Sequence, residues 1–555
     1  MPKAKLAAAL FPNPLPAPED LETRYPSRNL PEGARVTRFA PSPTGFLHIG
    51  SLYTAFVNQL TVRATGGVFF LRIEDTDKKR EVEGGVQSLL ESLAAFGIVP
   101  DEGTVRTDVS HTEEQGAYGP YTQSARRDIY QAFAKALVLQ GLAYPCFCTE
   151  DELSTLRDEQ GQAGAIQKGY WGKWARCRDL PVDEAIQHVQ SGEPWVLRLR
   201  SNGNAEKRVP FTDEVRGKIE MPENILDAVI LKTDGVPTYH FAHAVDDHLM
   251  RTTHVIRSEE WLASVPLHLE LFRACGFKPP KYAHISAMMK SEDGGKRKLS
   301  KRKDPEAAVS WFARQGYPAD AVLEYLMCLI SSQFEDWRKA NPAVPRESFP
   351  FTLKKMSASG ALFDLVKLTD VSKGVIAAMS GTVLAGQATV WAREFDPQLA
   401  DILAAHDGYL AQILAIDRDG AKKPRKDISR YGEVREYVSY FFDELFKSEL
   451  PLPDEMTQEN AAAILDAYEY SAGDDKDAWF ARIRELAVRL GFAASPKEYK
   501  ENPGAFKGHV GDVSAVIRAA VTGRPNTPDL WAICRVFGEE RVRGRLRNAI
   551  DRIKK

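Results

Sequence analysis

The stretch Arg35-Val-Thr-Arg-Phe-Ala40, running directly into Pro41-Ser-Pro-Thr-Gly-Phe-Leu-His48-Ile-Gly50, decides the fold. A short strand, a tight Pro/Gly turn and a helix that opens on a histidine and a glycine leave backbone N–H groups and the positive end of a helix dipole facing a phosphate. Downstream, Ile49, Leu52, Tyr53, Phe56, Val57 and Leu60 recur at helical spacing up to Thr65-Gly-Gly67. Val68-Phe-Phe-Leu-Arg-Ile73 then reads as a buried strand leading into Glu74-Asp-Thr-Asp77, and Val86, Leu89, Leu90 and Leu93 mark a second helix. This is a βαβα unit of a parallel sheet, whose ligands belong at the carboxyl ends of the strands. No G-x-G-x-x-G turn follows the first strand, which argues against a dinucleotide site.

Working outward, the character changes from Tyr118 to Ala244 to mixed helix and strand, with a helix near residues 126–140 and strands at Trp195–Arg200 and Ile225–Leu231. Parallel-sheet signals resume at His254-Val-Ile-Arg257, and Ala283–Met289 reads as a last strand before a lysine-rich loop, Lys298-Leu-Ser-Lys-Arg302, with Gly294-Gly295 before it. Beyond about residue 305 the patterns are helical. The fold class is therefore α/β: a Rossmann-type parallel-sheet catalytic domain with an α+β insertion, followed by an all-α C-terminal region. The expected division is 1–34, an exposed N-terminal extension; 35–117 and 245–303, two halves of the catalytic domain; 118–244, the insertion; then 304–385 and 386–555, both helical.

The 555 residues, 43% hydrophobic and 27% charged, exceed one core, and no apolar run spans a bilayer. Six cysteines in so long a chain make no disulfide framework, which points to a reducing cytoplasm. Net charge is only −3, so any nucleic-acid surface is local. Between Lys290 and Lys303 seven Lys/Arg face two acids, and Ala421–Lys426 and Arg541–Arg547 are further basic clusters.

Chemistry concentrates in two elements. His48 can donate to a developing phosphate charge and Gly50 lets a nucleotide approach the backbone, although a lone histidine there also serves as a helix cap. Lys298 and Lys301 place ammonium groups where they follow departing diphosphate. Together they indicate a reaction at the α-phosphate of ATP. A similar run, Lys355-Met-Ser-Ala-Ser359, has Ala358 where the second lysine is needed and lies in the helical region.

His48-Ile-Gly-Ser51 resembles the HIGH motif and Lys298–Arg302 the KMSKS motif of class I aminoacyl-tRNA synthetases, and Arg38-Phe-Ala-Pro-Ser-Pro-Thr-Gly45 narrows the resemblance to the glutamyl-tRNA synthetases of bacterial type. It continues through Ile73–Asp77, Gly119–Ser124, Tyr144–Cys148, Pro237–His240, Val245–Leu249, Arg257–Trp261 and Gly360–Leu365. The resemblance implies ATP-dependent ligation of L-glutamate to tRNA(Glu) through glutamyl-adenylate, with release of AMP and diphosphate and activation that usually needs bound tRNA. It implies Arg38 and Arg257 on the carboxylates, with Arg38 on the side chain, Glu74 with Ser42 on the ammonium, and Tyr239 and His243 as donors. It further implies His48, Gly50, Ser51, Glu260, Trp261, Lys298 and Lys301 on ATP with Mg²⁺, residues 118–244 on the tRNA acceptor end, 304–385 on its stem and 386–555 on its anticodon. The expected protein is a cytoplasmic monomer without membrane association.

Cys146, Cys148 and Cys177 are similar to a zinc site of some glutamyl enzymes, but Asp179 stands where its histidine would be. The expectation is packed thiols and no metal. Two other classes are open: a catalytically silent tRNA-binding paralogue, which should lack His48, Lys301 or the arginines, and a nucleotidylyltransferase, which would not need the long helical region. A glutaminyl enzyme should end in β-barrels.

Overall fold

The computed structural model describes residues 2–43, 45–77, 82–106, 112–292, 294–300 and 302–554. They form two compact units, Met1–Trp311 with Leu323–Asp364, and Phe312–Val322 with Leu365–Lys555.

In the first unit, β1 (Val36–Phe39) is buried throughout, as four residues between two covered faces must be. It pairs in parallel with β2 (Val68–Leu71), register Val36↔Val68 to Phe39↔Leu71. The helix Ile49–Arg63 connects them. The return is so tight that a Cβ at Gly67 would lie 1.8 Å from the Arg35 carbonyl oxygen, so only glycine fits. β3 (Glu102–Arg106) continues the sheet in parallel and β4 (Thr112–Gln115) closes it antiparallel.

The segment after residue 118 contains the antiparallel strands β5 (Ala143–Cys146) and β6 (Val196–Leu199), the hairpin β7 (Arg208–Asp213) and β8 (Gly217–Pro222), and β9 (Val229–Leu231), which pairs with β6. β10 (His254–Ser258) and β11 (Lys281–Ile285) form the parallel pair of the second half. Thr253 ties this pair to the first half: the Val36 N–H donates to its hydroxyl (2.8 Å) and its own N–H donates to the Val36 carbonyl (3.0 Å). β7 then adds in parallel to β11 at Asp213↔Tyr282. The insertion thus extends the sheet of the second half, in the order β10-β11-β7-β8.

The lysine-rich segment is a hairpin of β12 (Met288–Glu292) and β13 (Gly295–Lys298), not the loop expected, and Lys298 is its last strand residue. β14 (Ala361–Leu362) pairs in parallel with β12. The Lys355–Ser359 run therefore lies beside the hairpin, where the Ser286 hydroxyl donates to the Ala358 carbonyl (3.0 Å), and not in a helical region.

The N-terminal extension is not exposed. The helix Pro2–Leu10 buries Leu6, Ala7 and Leu10 in the core shared with the helices Arg127–Gln140 and Val182–Gln190, and Phe11 meets the Trp195 ring edge-on at 6.3 Å. Further on, Arg28 forks onto Glu102 (2.7 and 2.9 Å). The expected boundaries at 244 and 385 are also revised, since both fall inside helices, Tyr239–Leu249 and Gly381–Phe395.

The described regular elements of the second unit are helical. They surround a core that includes Ile376, Leu384, Ile413, Ile464, Val513, Ile517, Ile533 and Val542. Helix starts follow local chemistry: Ser380, Thr457, Asp475 and Asp529 each accept a first-turn N–H.

Candidate active site

At the carboxyl ends of β1, β2 and β10 lies a cavity of about 950 Å³, lined by Arg38, Ser42, His48, Glu74, Tyr239 and Arg257 among others. A second, of about 440 Å³, is lined by Gly50, Glu260, Met288 and Lys298. His48, Ser51, Thr54 and Ser258 line both, so the two cavities meet over the start of the helix Ile49–Arg63.

His48 caps that helix by accepting the Gly50 N–H at Nδ1 (2.9 Å), and a Cβ on Gly50 would come within 3.1 Å of the same nitrogen. The capping role and the cavity-lining role belong to one side chain.

Charge beneath the larger cavity is densely paired. Arg38 Nε lies 3.1 and 3.2 Å from the Asp247 carboxylate. Arg72 donates to Asp247 (2.9 Å) and to Glu74 (3.0 Å), while Asp246 receives Arg126 (2.7 Å), Tyr130 (2.9 Å) and Gln123 (3.0 Å). Burial would raise the Asp247 carboxyl, but Arg38, Arg72 and His243 hold it well below the usual carboxylate range. Burial raises Glu74, against the pull of Arg72 and Arg38, so an arriving ammonium group would favour its ionised form. Arg72, Arg126, Asp246 and Asp247 escaped the sequence reading. The available signal was an arginine directly after an apolar strand and two adjacent aspartates in a helix that also carries three histidines.

Arg257 and Tyr239 both reach the larger cavity, Arg257 donating to the Tyr239 hydroxyl (3.2 Å). His243 does not reach it: wholly buried, it bonds Asp247 through Nδ1 and the Tyr282 hydroxyl through Nε2 (3.0 Å), and so stands behind Arg38. Trp261 lines the larger cavity, packed on Tyr239 at 4.1 Å. Glu260 lines the smaller cavity and pairs with Lys298 (2.5 Å). Lys301 lies outside the described residues. The hairpin is organised by Asp304, which receives Arg297 (2.6 and 2.7 Å), Lys290 (3.2 Å) and the Ser300 N–H (2.9 Å), another residue the sequence did not single out.

Away from this site, the Cys146, Cys148 and Cys177 sulfurs lie within 4.8 Å of one another. The Tyr170 hydroxyl is 3.4 Å from Cys148 Sγ, and Cys148 Sγ is 3.7 Å from Cys177 Sγ. Thiol donors from Cys148 and Cys177, with Arg198 nearby, pull the Cys146 thiol down, while the Cys148 thiol is pushed up. Asp179 is not part of the cluster and pairs with Arg200 (3.0 Å). The three sulfurs are close enough together to hold a metal ion, and thiolates are zinc ligands.

Residues 35–368 match the family model described as tRNA synthetases class I (E and Q), catalytic domain, and residues 499–550 match the anticodon binding domain. A glutamate–tRNA ligase of Clostridium perfringens strain 13 is 49% identical over 547 residues, 98% of this chain and 99% of its own. That of Sorangium cellulosum is 44% identical over 555 aligned positions, 95% and 97% of the two chains. Among solved structures, a glutamate tRNA ligase of Elizabethkingia meningosepticum in complex with its amino acid superposes with a TM-score of 0.72 at 27% identity, covering 94% of this chain and 99% of that one.

Proposed function

The chain belongs to the glutamate–tRNA ligases of the class I aminoacyl-tRNA synthetases, and we propose that it joins L-glutamate to tRNA(Glu) through glutamyl-adenylate, releasing AMP and diphosphate. The observation that carries this reading is the junction of two chemically distinct cavities over His48. One offers cations and a carboxylate suited to an acidic amino acid; the other offers the lysine hairpin.

In the first step a carboxylate oxygen of glutamate attacks the α-phosphorus of ATP, the P–O bond to the diphosphate breaks, and the mixed anhydride forms. The nucleophile is already ionised, so no side chain need remove a proton, and catalysis reduces to positioning and charge stabilisation. Arg38 and Arg257 orient the carboxylates and Glu74 with Ser42 the ammonium. An arginine fork matches a carboxylate bidentately, whereas a glutamine amide would leave donors facing donors. His48, Lys298 and Lys301 answer charge on the phosphates of the Mg²⁺–ATP substrate, and Glu260 holds Lys298 until the nucleotide displaces it. In the second step a terminal ribose hydroxyl of the tRNA attacks the acyl carbon and AMP departs.

Residues 118–244 would meet the acceptor end and the helical C-terminal region the anticodon. Cys146, Cys148 and Cys177, with Tyr170, would hold a structural zinc in the insertion. All six cysteines are free and no described helix is long and apolar enough to cross a membrane; the form proposed is a monomer acting in the cytoplasm. The deciding assay is ATP–diphosphate exchange with glutamate or glutamine, with and without tRNA. Exchange driven by glutamine but not glutamate would refute the assignment, and charging purified tRNA(Glu) and tRNA(Gln) separately fixes the acceptor.

A further inference from the structure

The two arginines of the larger cavity live in opposite surroundings. Arg38 is compensated by Asp247, whose carboxylate also serves Arg72. Among the described residues, no carboxylate pairs with Arg257. Its guanidinium donates instead to His284 Nε2 through Nε (3.1 Å), to His268 Nδ1 through NH2 (3.1 Å) and to the Tyr239 hydroxyl through NH1 (3.2 Å).

An arginine has only donors, so each imidazole nitrogen facing it must be an acceptor. This fixes both rings. His284 carries its proton on Nδ1 and donates it to Asp213 Oδ2 (2.7 Å), and Asp213 is itself held by the His284 N–H (3.0 Å) and by the Val215 and Arg216 N–H groups (both 3.0 Å). His268 carries its proton on Nε2 and donates it to His240 Nδ1 (2.9 Å). Both rings are buried and neutral: burial holds His268 well below its ordinary value, with His243 and Arg257 adding to it, and burial lowers His284 despite Asp213. The Tyr239 oxygen, having accepted from Arg257, keeps its hydrogen for the cavity it lines.

We propose that Asp213, His284 and His268 are positioning residues for glutamate, forming a cradle of neutral imidazoles that fixes the Arg257 guanidinium through acceptors alone and leaves its positive charge for the substrate carboxylate. A carboxylate in place of either ring would hold the arginine equally well and cancel the charge it presents. The cradle reaches the site from β7 (Asp213), β11 (His284) and the helix Val265–Ala274 (His268), elements that do not otherwise line the cavity. The proposal rests on the reading of that cavity as the glutamate site.

The test compares His268→Gln, which keeps a carbonyl acceptor, His268→Glu, which adds compensating charge, and His284→Ala, which removes the acceptor. Each full-length variant is assayed by ATP–diphosphate exchange with tRNA present, titrating glutamate and ATP separately. The expected result is a glutamate KM raised about tenfold or more in His268→Glu and His284→Ala, less than about threefold in His268→Gln, with the ATP KM unchanged throughout. Equal glutamate KM values for His268→Gln and His268→Glu overturn the proposal, as does a parallel rise of glutamate and ATP KM in His284→Ala. Should His268→Glu fail to fold, Asp213→Asn takes its place: it permits the wrong His284 tautomer and should raise the glutamate KM alone, a parallel rise again overturning the proposal. Exchange by the unaltered chain that ignores glutamate would instead remove the reading of the cavity, and the proposal with it.

Discussion

Acidification should weaken the first unit through His243. The ring has no exposure, and burial, reinforced by Arg257 and Arg38 and only partly opposed by Asp247, lowers its pKa to about 3 from the ordinary 6.5. Because the native value lies below the unfolded one, the unfolded chain binds more protons between these limits, and stability falls as the pH falls from about 6.5 towards 3. At pH 5.5 roughly nine-tenths of the unfolded rings are protonated and almost none of the native ones, which corresponds to a slope of about 1.2 kcal/mol per pH unit and an accumulated loss of about 1.4 kcal/mol relative to pH 7.5. His243→Asn retains a donor and an acceptor between Asp247 and Tyr282 but does not titrate. Urea unfolding of both proteins at pH 7.5, 6.5 and 5.5 reads the difference directly, since the contributions of His240, His268, His284 and Glu74 are common to the two chains and cancel. The wild type should lose about 1.4 kcal/mol more than the variant by pH 5.5. Parallel stability–pH curves would refute the assignment of a buried, neutral imidazole at this position.

Lys298→Ala should slow adenylate formation on the order of a hundredfold, measured by diphosphate exchange at saturating glutamate, because it removes a cation from the departing charge; an unchanged rate takes Lys298 out of the reaction. Elemental analysis of purified protein should find about one zinc per chain, with the metal lost in Cys146→Ser, as the three sulfurs lie within 4.8 Å of one another and thiolates are zinc ligands. Gly67→Ala should lower stability by about 2–4 kcal/mol, seen as a fall in Tm, since its Cβ would overlap the Arg35 carbonyl and force β1 from β2.

Much of the site was legible because the signals were local. The strand, turn and helix around residues 35–63 are announced by the Pro/Gly turn and the helical spacing after it, while Arg38, Ser42 and Glu74 were named through the family resemblance and line one cavity with His48. The hairpin β7–β8 was missed because its side chains alternate between exposed and half-buried, with Pro210 in the middle, so no apolar run marks it. Asp213, His268 and His284 carry meaning only through pairings between distant segments, which no window of sequence contains. The family resemblance implied His243 as a donor to the substrate; one turn beyond Tyr239 the helix faces inward and delivers the ring to Asp247 instead. The buried face of the Pro2–Leu10 helix lay hidden in a short stretch ending among prolines, where Leu6 and Leu10 stand one turn apart.

The addition of β7 to β11 also bears on how the chain is made. Residues 208–222 leave the ribosome before residues 281–285 exist, so the hairpin must wait as a two-stranded ribbon, a form marginal in water, with its pairing edge uncovered. Only when Tyr282 emerges does Asp213 find its partner. The insertion and the second half of the catalytic sheet are therefore completed in one event near the midpoint of synthesis, and a nascent chain stalled before residue 281 would present an unpaired strand edge open to other chains.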